Sequence, residues 1–275
     1  MVEQSGQART MMRRREHSLA WEFRHLIPMV AIALAALTLW QAMVSLRVWP
    51  PYLFAGPTEA VRALVELWNR ALLPRAIVAT LQRLAVGFLI SLVLGALLAF
   101  IMVRFTTFGK ALQPYILGLQ TFPSIAWVPL ALIWFGFSET TLLFVTIIGS
   151  VFGVSISFAD ALRTVPPVYL QAARNMGSDG MDLILRVTVP AALPHLISAA
   201  KVGWAFAWRS LIGAEIIFAS VGIGFLLNIR ATVPDIGGVM GVMLVILVIG
   251  IVVDQLAFSK IQEWASRRRG LLAHR

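Results

Sequence analysis

The chain of 275 residues contains no cysteine, and charged residues make up only 13% of it. The absence of cysteine excludes disulfides, thiolate metal sites and cysteine nucleophiles. Soluble domains are about 25% charged, so roughly half of the usual charged surface is missing. With 59% hydrophobic residues and a mean hydropathy of +0.83, a soluble fold would expose large apolar patches. The composition therefore predicts an integral membrane protein embedded in lipid.

Metal binding and nucleic-acid binding also lack support in the sequence. The four histidines show no metal-ligand spacing; they are His17, His25, His195 and His274. The net charge of +10 would suit nucleic acid only if the basic residues clustered on one polar face. Most of them lie instead at the chain ends and in short loops between apolar runs, a distribution typical of membrane topology. We therefore expect neither a metal nor a nucleic-acid partner.

Apolar runs of about 20 residues, the length that crosses a bilayer, predict about six transmembrane helices. Their approximate bounds are 27–46, 77–103, 111–134, 140–158, 193–219 and 239–258. Pro114, Pro123 and Pro129 interrupt the third span, so we expect kinks there. An amphipathic helix that starts near Pro57 is expected to lie along the outer interface.

The distribution of basic residues predicts the orientation of the chain. Fifteen of the 23 Lys and Arg residues fall on the side of the two termini, and five fall on the opposite side. Because cytoplasmic loops are enriched in Lys and Arg, we expect the N- and C-termini to be cytoplasmic, together with the segment 160–190. The loop 221–239 is then external. The chain thus divides into a basic cytoplasmic N-terminal tail (1–26), a first transmembrane helix with the interfacial helix (27–76), a five-helix core (77–260) and a basic cytoplasmic C-terminal tail (261–275).

The segment 160–190 has the features of a docking surface for another protein. Prolines before it and Gly177 after it predict a short helix of about ten residues. Within this helix, Ala172 and Ala173 leave one face flat enough for close contact, and Tyr169 and Met176 are placed to act as anchors at its sides.

A second helix is expected to follow in the same segment. Ser178 is placed to cap its start, and we expect it to end near Pro190.

Two motifs in this segment resemble the coupling segment of ATP-binding-cassette (ABC) importer permeases. That family carries E-A-A-x-x-x-G, followed after nine intervening residues by I-x-L-P. The first motif here is Gln171-Ala172-Ala173 with Gly177, and the second is Val187-Thr188-Val189-Pro190. Every interval matches, with Gln in place of Glu and Val in place of Ile and Leu. Gln171 keeps hydrogen-bonding capacity but loses the charge that a salt bridge to the ATPase would need.

Further patterns resemble such permeases and, in particular, their nitrate, sulfonate and taurine branch, and together they extend over residues 80–226. They are Thr80-x-x-Arg83-x-x-x-Gly87, Phe122-Pro123-Ser124-Ile125-Ala126-Trp127-Val128-Pro129 with Trp134-Phe135-Gly136, and Ala214-Glu215 followed by Gly222-Ile223-Gly224-Phe225.

The resemblance implies an all-α integral membrane protein with the type I ABC importer permease (MetI-like) architecture, located in a bacterial inner membrane. It implies a transport subunit, not an enzyme, that forms a homodimer and carries a small, anionic solute of the nitrate, sulfonate, taurine or bicarbonate class. A soluble or lipid-anchored substrate-binding protein would deliver that solute.

The resemblance also implies two ATPase partner subunits. These would bind ATP and Mg, because this chain lacks G-x-x-x-x-G-K-[ST]; we expect no cofactor in this chain itself. The residues implied in ATPase coupling are Tyr169, Gln171, Ala172, Ala173, Met176, Gly177, Val187, Val189 and Pro190.

Ionisable residues inside the predicted spans suggest a translocation pathway. Each costs about 2.5–3.5 kcal/mol at a helix centre, so each is expected to face protein or water. Arg83 and Glu215 lie at similar depth near the outer ends of their spans and can pair, whereas Arg209 lies six residues deeper, about 9 Å along the axis. We hypothesise that these three line the outer half of the pathway and leave a net positive charge for an anion. Lys201 is expected to extend toward the cytoplasmic side.

Alternative interpretations remain open at this stage. The Arg83–Glu215 pair can be only a structural link between two helices. A channel or secondary transporter not coupled to ATP would also have six spans and buried charges, but it would usually show inverted repeats, which we do not find. A membrane-embedded enzyme would need a catalytic constellation, and the predicted spans contain no paired carboxylates, histidine cluster or nucleophile–base pair.

Overall fold

The computed structural model describes residues 28–262, apart from residues 29 and 259. Within these residues the regular structure is entirely helical. The predicted N-terminal tail (1–26) lies outside the described residues, as do residue 27 of the first span and nearly all of the C-terminal tail.

Four helices in the described part of the chain are long and apolar enough to cross a membrane. They are α3 (Leu72–Arg104), α6 (Glu139–Arg163), a continuous helix over Gly180–Ile217 and another over Ile236–Gln262. The third comprises α8 (Gly180–Leu183), a π-helical turn (Ile184–Thr188) and α9 (Val189–Ile217). The fourth comprises α11 (Ile236–Val252) and a π-helical turn (Val253–Phe258). Of the first predicted span, the structure describes a shorter apolar helix, α1 (Val30–Ser45).

The third predicted span is a broken pair of helices. The first half is α4 (Thr106–Thr121); a 3₁₀ turn (Ser124–Trp127) and α5 (Val128–Phe135) form the second half, at an angle of 88°. Phe122 is extended, because a residue before proline is disfavoured in the helical region. A proline kink was predicted here, but the change of direction is much larger.

Three of the spanning helices, α3, α6 and α9, pack tightly against one another and form the core. Leu84, Val145 and Leu211, one from each, are completely buried at their contact. Glycines bring the helix backbones together: a Cβ on Gly95 would lie 2.5 Å from Val154, and one on Gly203 would lie 2.4 Å from the same side chain. Small residues at such contacts let helices approach closely in a membrane.

Two shorter helices pack at the end of the core where α3 begins. The predicted amphipathic helix is confirmed as α2 (Pro57–Asn69), with Leu67 buried and Val61, Val65 and Trp68 exposed. The region 221–239 was predicted as a loop, which is wrong for its first half. It contains α10 (Ile223–Thr232), which forms because its first turn is buried against α9 and α3.

The segment 160–190 lies at the opposite end of the core, where α6 ends and α9 begins. Its first helix is confirmed as α7 (Pro167–Asn175). The second predicted helix does not end near Pro190 but continues into α9, since the wider π-helical turn before the proline tolerates the missing N–H. Asp179, not Ser178, is the residue before that helix; the Ser178 hydroxyl hydrogen-bonds the Asp182 carboxylate instead.

Candidate functional site

Helix α7 exposes a continuous surface at its end of the core. Met176 is 81% exposed and Tyr169 is 57% exposed, and Gln171 and Ala172 are also exposed. Ala173, by contrast, is only 3% exposed, so the prediction of a flat face made by both alanines is wrong for Ala173. The small outward residue is Ala172, while Ala173 lets α7 lie close to the body of the protein.

Gly177 ends α7 through a backbone capping motif. Its φ is +87°, a left-handed conformation that glycine adopts without steric cost. The Gly177 N–H donates to the Arg174 carbonyl at 2.9 Å, and the Ser178 N–H donates to the Ala173 carbonyl at 3.0 Å. These two bonds define a Schellman motif. The glycine at this position is therefore explained by the helix terminus, and it fixes where Met176 is presented.

The second half of the segment 160–190 supports α7 more than it extends the exposed surface. Val187 and Val189 are half-buried, whereas Pro190 is exposed. Val189 packs with Leu170 against a small buried cluster that contains Val165. Val189 of the Val-x-Val-Pro pattern thus belongs to the base on which α7 rests.

At the opposite end of the core, a carboxylate is completely buried among hydrogen-bond donors. Glu215 of α9 has no exposed surface. It accepts from the Thr80 hydroxyl at 2.8 and 2.9 Å, from Arg83 Nη1 at 2.8 Å and from the Gly224 N–H at 3.0 Å. The predicted pair between Arg83 and Glu215 is confirmed.

A second carboxylate, which the sequence reasoning missed, completes this cluster. Glu139 binds Arg83 in a bidentate manner, with Nε–Oε2 at 2.5 Å and Nη2–Oε1 at 2.6 Å. The Glu139 side chain is 61% exposed. Two carboxylates on one guanidinium leave no surplus positive charge at this cluster, in contrast to the expected arrangement. The available signal was an acidic residue at the start of the fourth span, at the end where Arg83 lies.

The same cluster fixes the turn between α9 and α10. The Thr80 hydroxyl accepts from the Ile223 N–H at 2.9 Å, and Arg83 Nη1 also donates to the Val221 carbonyl. Gly222 has φ +155°, and a Cβ there would lie 2.5 Å from the Glu215 carboxylate. The side chains of Thr80, Arg83, Glu139 and Glu215 therefore tie α3, α6 and the α9–α10 turn into one unit.

Arg209 is not brought to this cluster. It is exposed on α9, where its Nε donates to the Ala205 carbonyl at 3.1 Å and its Cζ lies 4.9 Å from the Phe206 ring centre. Lys201 lies on the same helix, about two turns before Arg209. Its Nζ pairs with Asp254 Oδ1 at 2.9 Å, instead of simply extending toward the membrane surface. That pair joins α9 to the π-helical turn after α11. Within the described residues, no group of three or more His, Asp or Glu side chains is placed to hold a metal.

These features define a multi-pass helical membrane protein whose spans are tied by charge at one end and interrupted by an exposed helix at the other. The chain belongs to the family described as the binding-protein-dependent transport system inner membrane component, whose model matches residues 91–267. It is therefore the membrane-embedded permease component of an importer of this kind.

Similar proteins come from both archaea and bacteria. A putative ABC transporter permease of Methanocaldococcus jannaschii is 26% identical over 238 residues, which are 84% of this chain and 88% of that protein. The nitrate import permease NrtB of Synechococcus elongatus is 28% identical over 70% of this chain and 68% of its own length. The taurine transport permease TauC of Escherichia coli is 25% identical over 70% and 72%, respectively.

Solved transporters share the fold. A chain of the MetNI methionine ABC transporter, in an inward-facing conformation, matches with a TM-score of 0.64 at 20% identity, over 70% of this chain and 96% of that chain. A chain of an amino acid ABC transporter matches with a TM-score of 0.59 at 21% identity, over 74% and 97%. The predicted type I permease architecture is thus confirmed.

Proposed function

We propose that two copies of this chain form the translocation pathway of an ATP-driven importer for a small anion of the nitrate, sulfonate, taurine or bicarbonate class. A soluble or lipid-anchored binding protein delivers the solute to the outer side of a bacterial inner membrane, and both termini of the permease are cytoplasmic. The names of the nitrate and taurine permeases to which the chain is similar support this solute class.

The exposed, capped helix α7 is the observation that carries the proposal. It lies between two spans, and none of the described residues covers its outward surface of Tyr169, Gln171, Ala172 and Met176. Two ATPase subunits bind ATP and Mg. Each of them docks on the α7 of one permease copy. Since Gln171 is neutral, it contributes hydrogen bonds to that contact and no salt bridge.

Movement of α7 reaches the membrane through the helices that flank it. α6 leads directly into α7, and α9 follows it through the π-helical turn. Arg83, Arg209 and Glu215 border the outer half of the pathway. Of these three, Arg83 and Glu215 hold the outer helix ends together, while Arg209 is accessible to a solute.

Reconstitution tests this function. The permease is placed in liposomes with its ATPase subunits and binding protein, and ATP hydrolysis and uptake are measured for nitrate, taurine, ethanesulfonate and bicarbonate. We expect one of these anions to stimulate hydrolysis and to accumulate. Ala172→Phe should abolish both effects, and Ala111→Phe, at another exposed alanine on α4, should leave them unchanged.

Two results would contradict the proposal. If the ATPase subunits did not bind the permease, the assignment of α7 as the docking helix would be wrong. If uptake proceeded equally without ATP, a channel or secondary transporter would be the better description.

A further inference from the structure

A groove of about 640 Å³ runs along the surface between α9 and α11. Its walls are formed by Trp204 and Trp208 on one side and by Met243 and Leu247 on the other, with Arg209 at its edge. Asp254 lies in the same groove. It is separate from the cluster of Arg83, Glu139 and Glu215.

The depth of the groove argues against lipid as its occupant. Arg209 lies eight residues before the end of α9 at Ile217, about 12 Å along the axis. The groove therefore lies at the level of the hydrocarbon, where a charge facing acyl chains is costly. An arginine exposed at this depth needs water, a counter-ion or a polar ligand.

Among the described residues, the ion pairs of the groove leave one cation, Arg209, without a carboxylate. The Asp254 carboxylate is paired with Lys201. Arg209 contacts the Ala205 carbonyl and the Phe206 ring, and no carboxylate of the described residues forms an ion pair with it. The groove is thus complementary to an anion.

The aromatic wall of the groove is fixed before any ligand binds. The Trp204 and Trp208 rings are parallel to within 10°, with centres 6.5 Å apart. Phe88 holds Trp204 from behind in an edge-to-face contact at 5.6 Å. A preorganised aromatic surface of this kind favours a ligand with an apolar body to bury against it. Nitrate or bicarbonate has no apolar body to bury against it.

We propose that this groove binds an organic anion whose acidic group pairs with Arg209 and whose apolar body packs against Trp204 and Trp208. The inference rests on the proposed import function and narrows its solute class from small anions in general to anions that carry an apolar group. In the importer, the groove holds such a solute after its release from the binding protein.

Binding to the complete permease–ATPase complex in nanodiscs, without the binding protein, tests the inference. Calorimetric titrations compare benzenesulfonate with nitrate and with the neutral benzenesulfonamide. We expect benzenesulfonate to bind at least tenfold more tightly than either. Arg209→Gln should weaken it at least tenfold, Arg209→Lys should restore part of the affinity, and Arg70→Gln, at an exposed arginine directly after α2, should have no effect.

Thiol labelling locates the bound molecule, because the natural chain has no cysteine. Met243→Cys places a thiol in the groove, and Val65→Cys places one on the exposed face of α2. A water-soluble maleimide should label both thiols, and benzenesulfonate should slow labelling only at position 243.

Several results would overturn the inference. Equal affinity for nitrate would show that the apolar wall is unused, and equal affinity for the sulfonamide would show that Arg209 is unused. A position 243 thiol that is inert to the maleimide or cross-links to a second copy would show that lipid or that copy covers the groove. If binding fails while the ATPase subunits stay bound and the binding protein still stimulates hydrolysis, this inference falls alone; loss of the ATPase contradicts the function itself.

Discussion

The two ends of the helical core use their polar residues in opposite ways. At the end where α3 begins, Glu215 is completely buried, and Thr80, Arg83 and the Gly224 N–H all donate to it. At the other end, α7 presents exposed side chains, with Met176 81% exposed. The polar groups at the first end satisfy one another, whereas those at the second form an exposed surface, which under the proposed function an ATPase subunit covers.

This difference indicates how an input at one end can act on the other. A buried ion pair with all its hydrogen bonds made resists separation, because removing one partner leaves an uncompensated charge. The helix ends joined by Arg83 should therefore move as one body. Displacement of α7 would then tilt α6 and α9 about that fixed end, which requires the cluster to remain intact during transport.

Breaking the buried pair should have the largest effect. Glu215→Ala leaves Thr80, the Gly224 N–H and one side of Arg83 without their acceptor, so we expect a loss of about 3–5 kcal/mol in the free energy of unfolding. Thermal and denaturant unfolding of the purified protein would measure it. Glu66→Ala, which removes an exposed pair with Arg70, should change stability by less than about 1 kcal/mol. Equal effects of the two substitutions would show that the buried pair contributes no more to stability than the exposed one.

The turn that wraps the cluster should be nearly as sensitive. Gly222→Ala introduces a Cβ 2.5 Å from the Glu215 carboxylate and a strained backbone, which together cost at least about 1–3 kcal/mol. Gly118→Ala is the control, since nothing lies within 4 Å of its Cβ. We expect the Gly118→Ala protein to have unchanged or slightly raised stability, because alanine favours helix. A stable Gly222→Ala protein would show that the turn is not held as described.

At the other end, a bulky residue should disrupt docking without affecting the fold. Ala172→Phe is expected to weaken ATPase binding by about tenfold to a hundredfold, the cost of overpacking a close contact, while the unfolding temperature stays the same. Ala173→Phe, at the neighbouring buried position, should instead lower the unfolding temperature. Surface plasmon resonance measures ATPase binding, and thermal unfolding measures the stability of both variants. If Ala172→Phe lowered the unfolding temperature and Ala173→Phe weakened binding, α7 would present its other face.

The smallest effect is expected at the end of α7. Gly177→Ala has ample space around its Cβ, so its only penalty is the left-handed backbone, about 1–2 kcal/mol. We expect the end of α7 to fray in the free variant and to re-form on docking, so ATPase affinity should fall by a factor of up to roughly five to thirty. Gly177→Asn should lose less, because asparagine tolerates this conformation better. If Gly177→Ala left ATPase affinity unchanged, the Schellman motif would not set the position of Met176.

Much of this arrangement follows from local sequence rules. Hydropathy over about 20 residues predicts the long spans, because a bilayer demands that length. The pair of Arg83 and Glu215 was predictable, since two costly charges at equal depth have strong reason to meet. Proline and glycine spacing predicts α7, because both of its ends are determined by backbone chemistry.

Other features depend on three-dimensional contacts that no local rule contains. The chain turns by 88° at Phe122 and Pro123. The 3₁₀ turn that follows packs against Gly149 of α6 and Ser210 of α9, where a larger residue in place of the glycine would clash. The role of Glu139 was missed because it lies at the boundary of a span, where an acidic residue is also a common helix-start residue. Which alanine of α7 faces outward depends on the docking of that helix on the body.

Cross-linking from α7 to the ATPase tests the central claim most directly. A photoreactive phenylalanine analogue replaces Met176 in the assembled transporter, and a second variant carries it at Trp68 on α2, at the opposite end of the core. We predict cross-links to the ATPase subunit from position 176 and none from position 68. Absence of the cross-link at position 176, in a complex that still hydrolyses ATP in response to its solute, would contradict the assignment of α7 as the coupling helix.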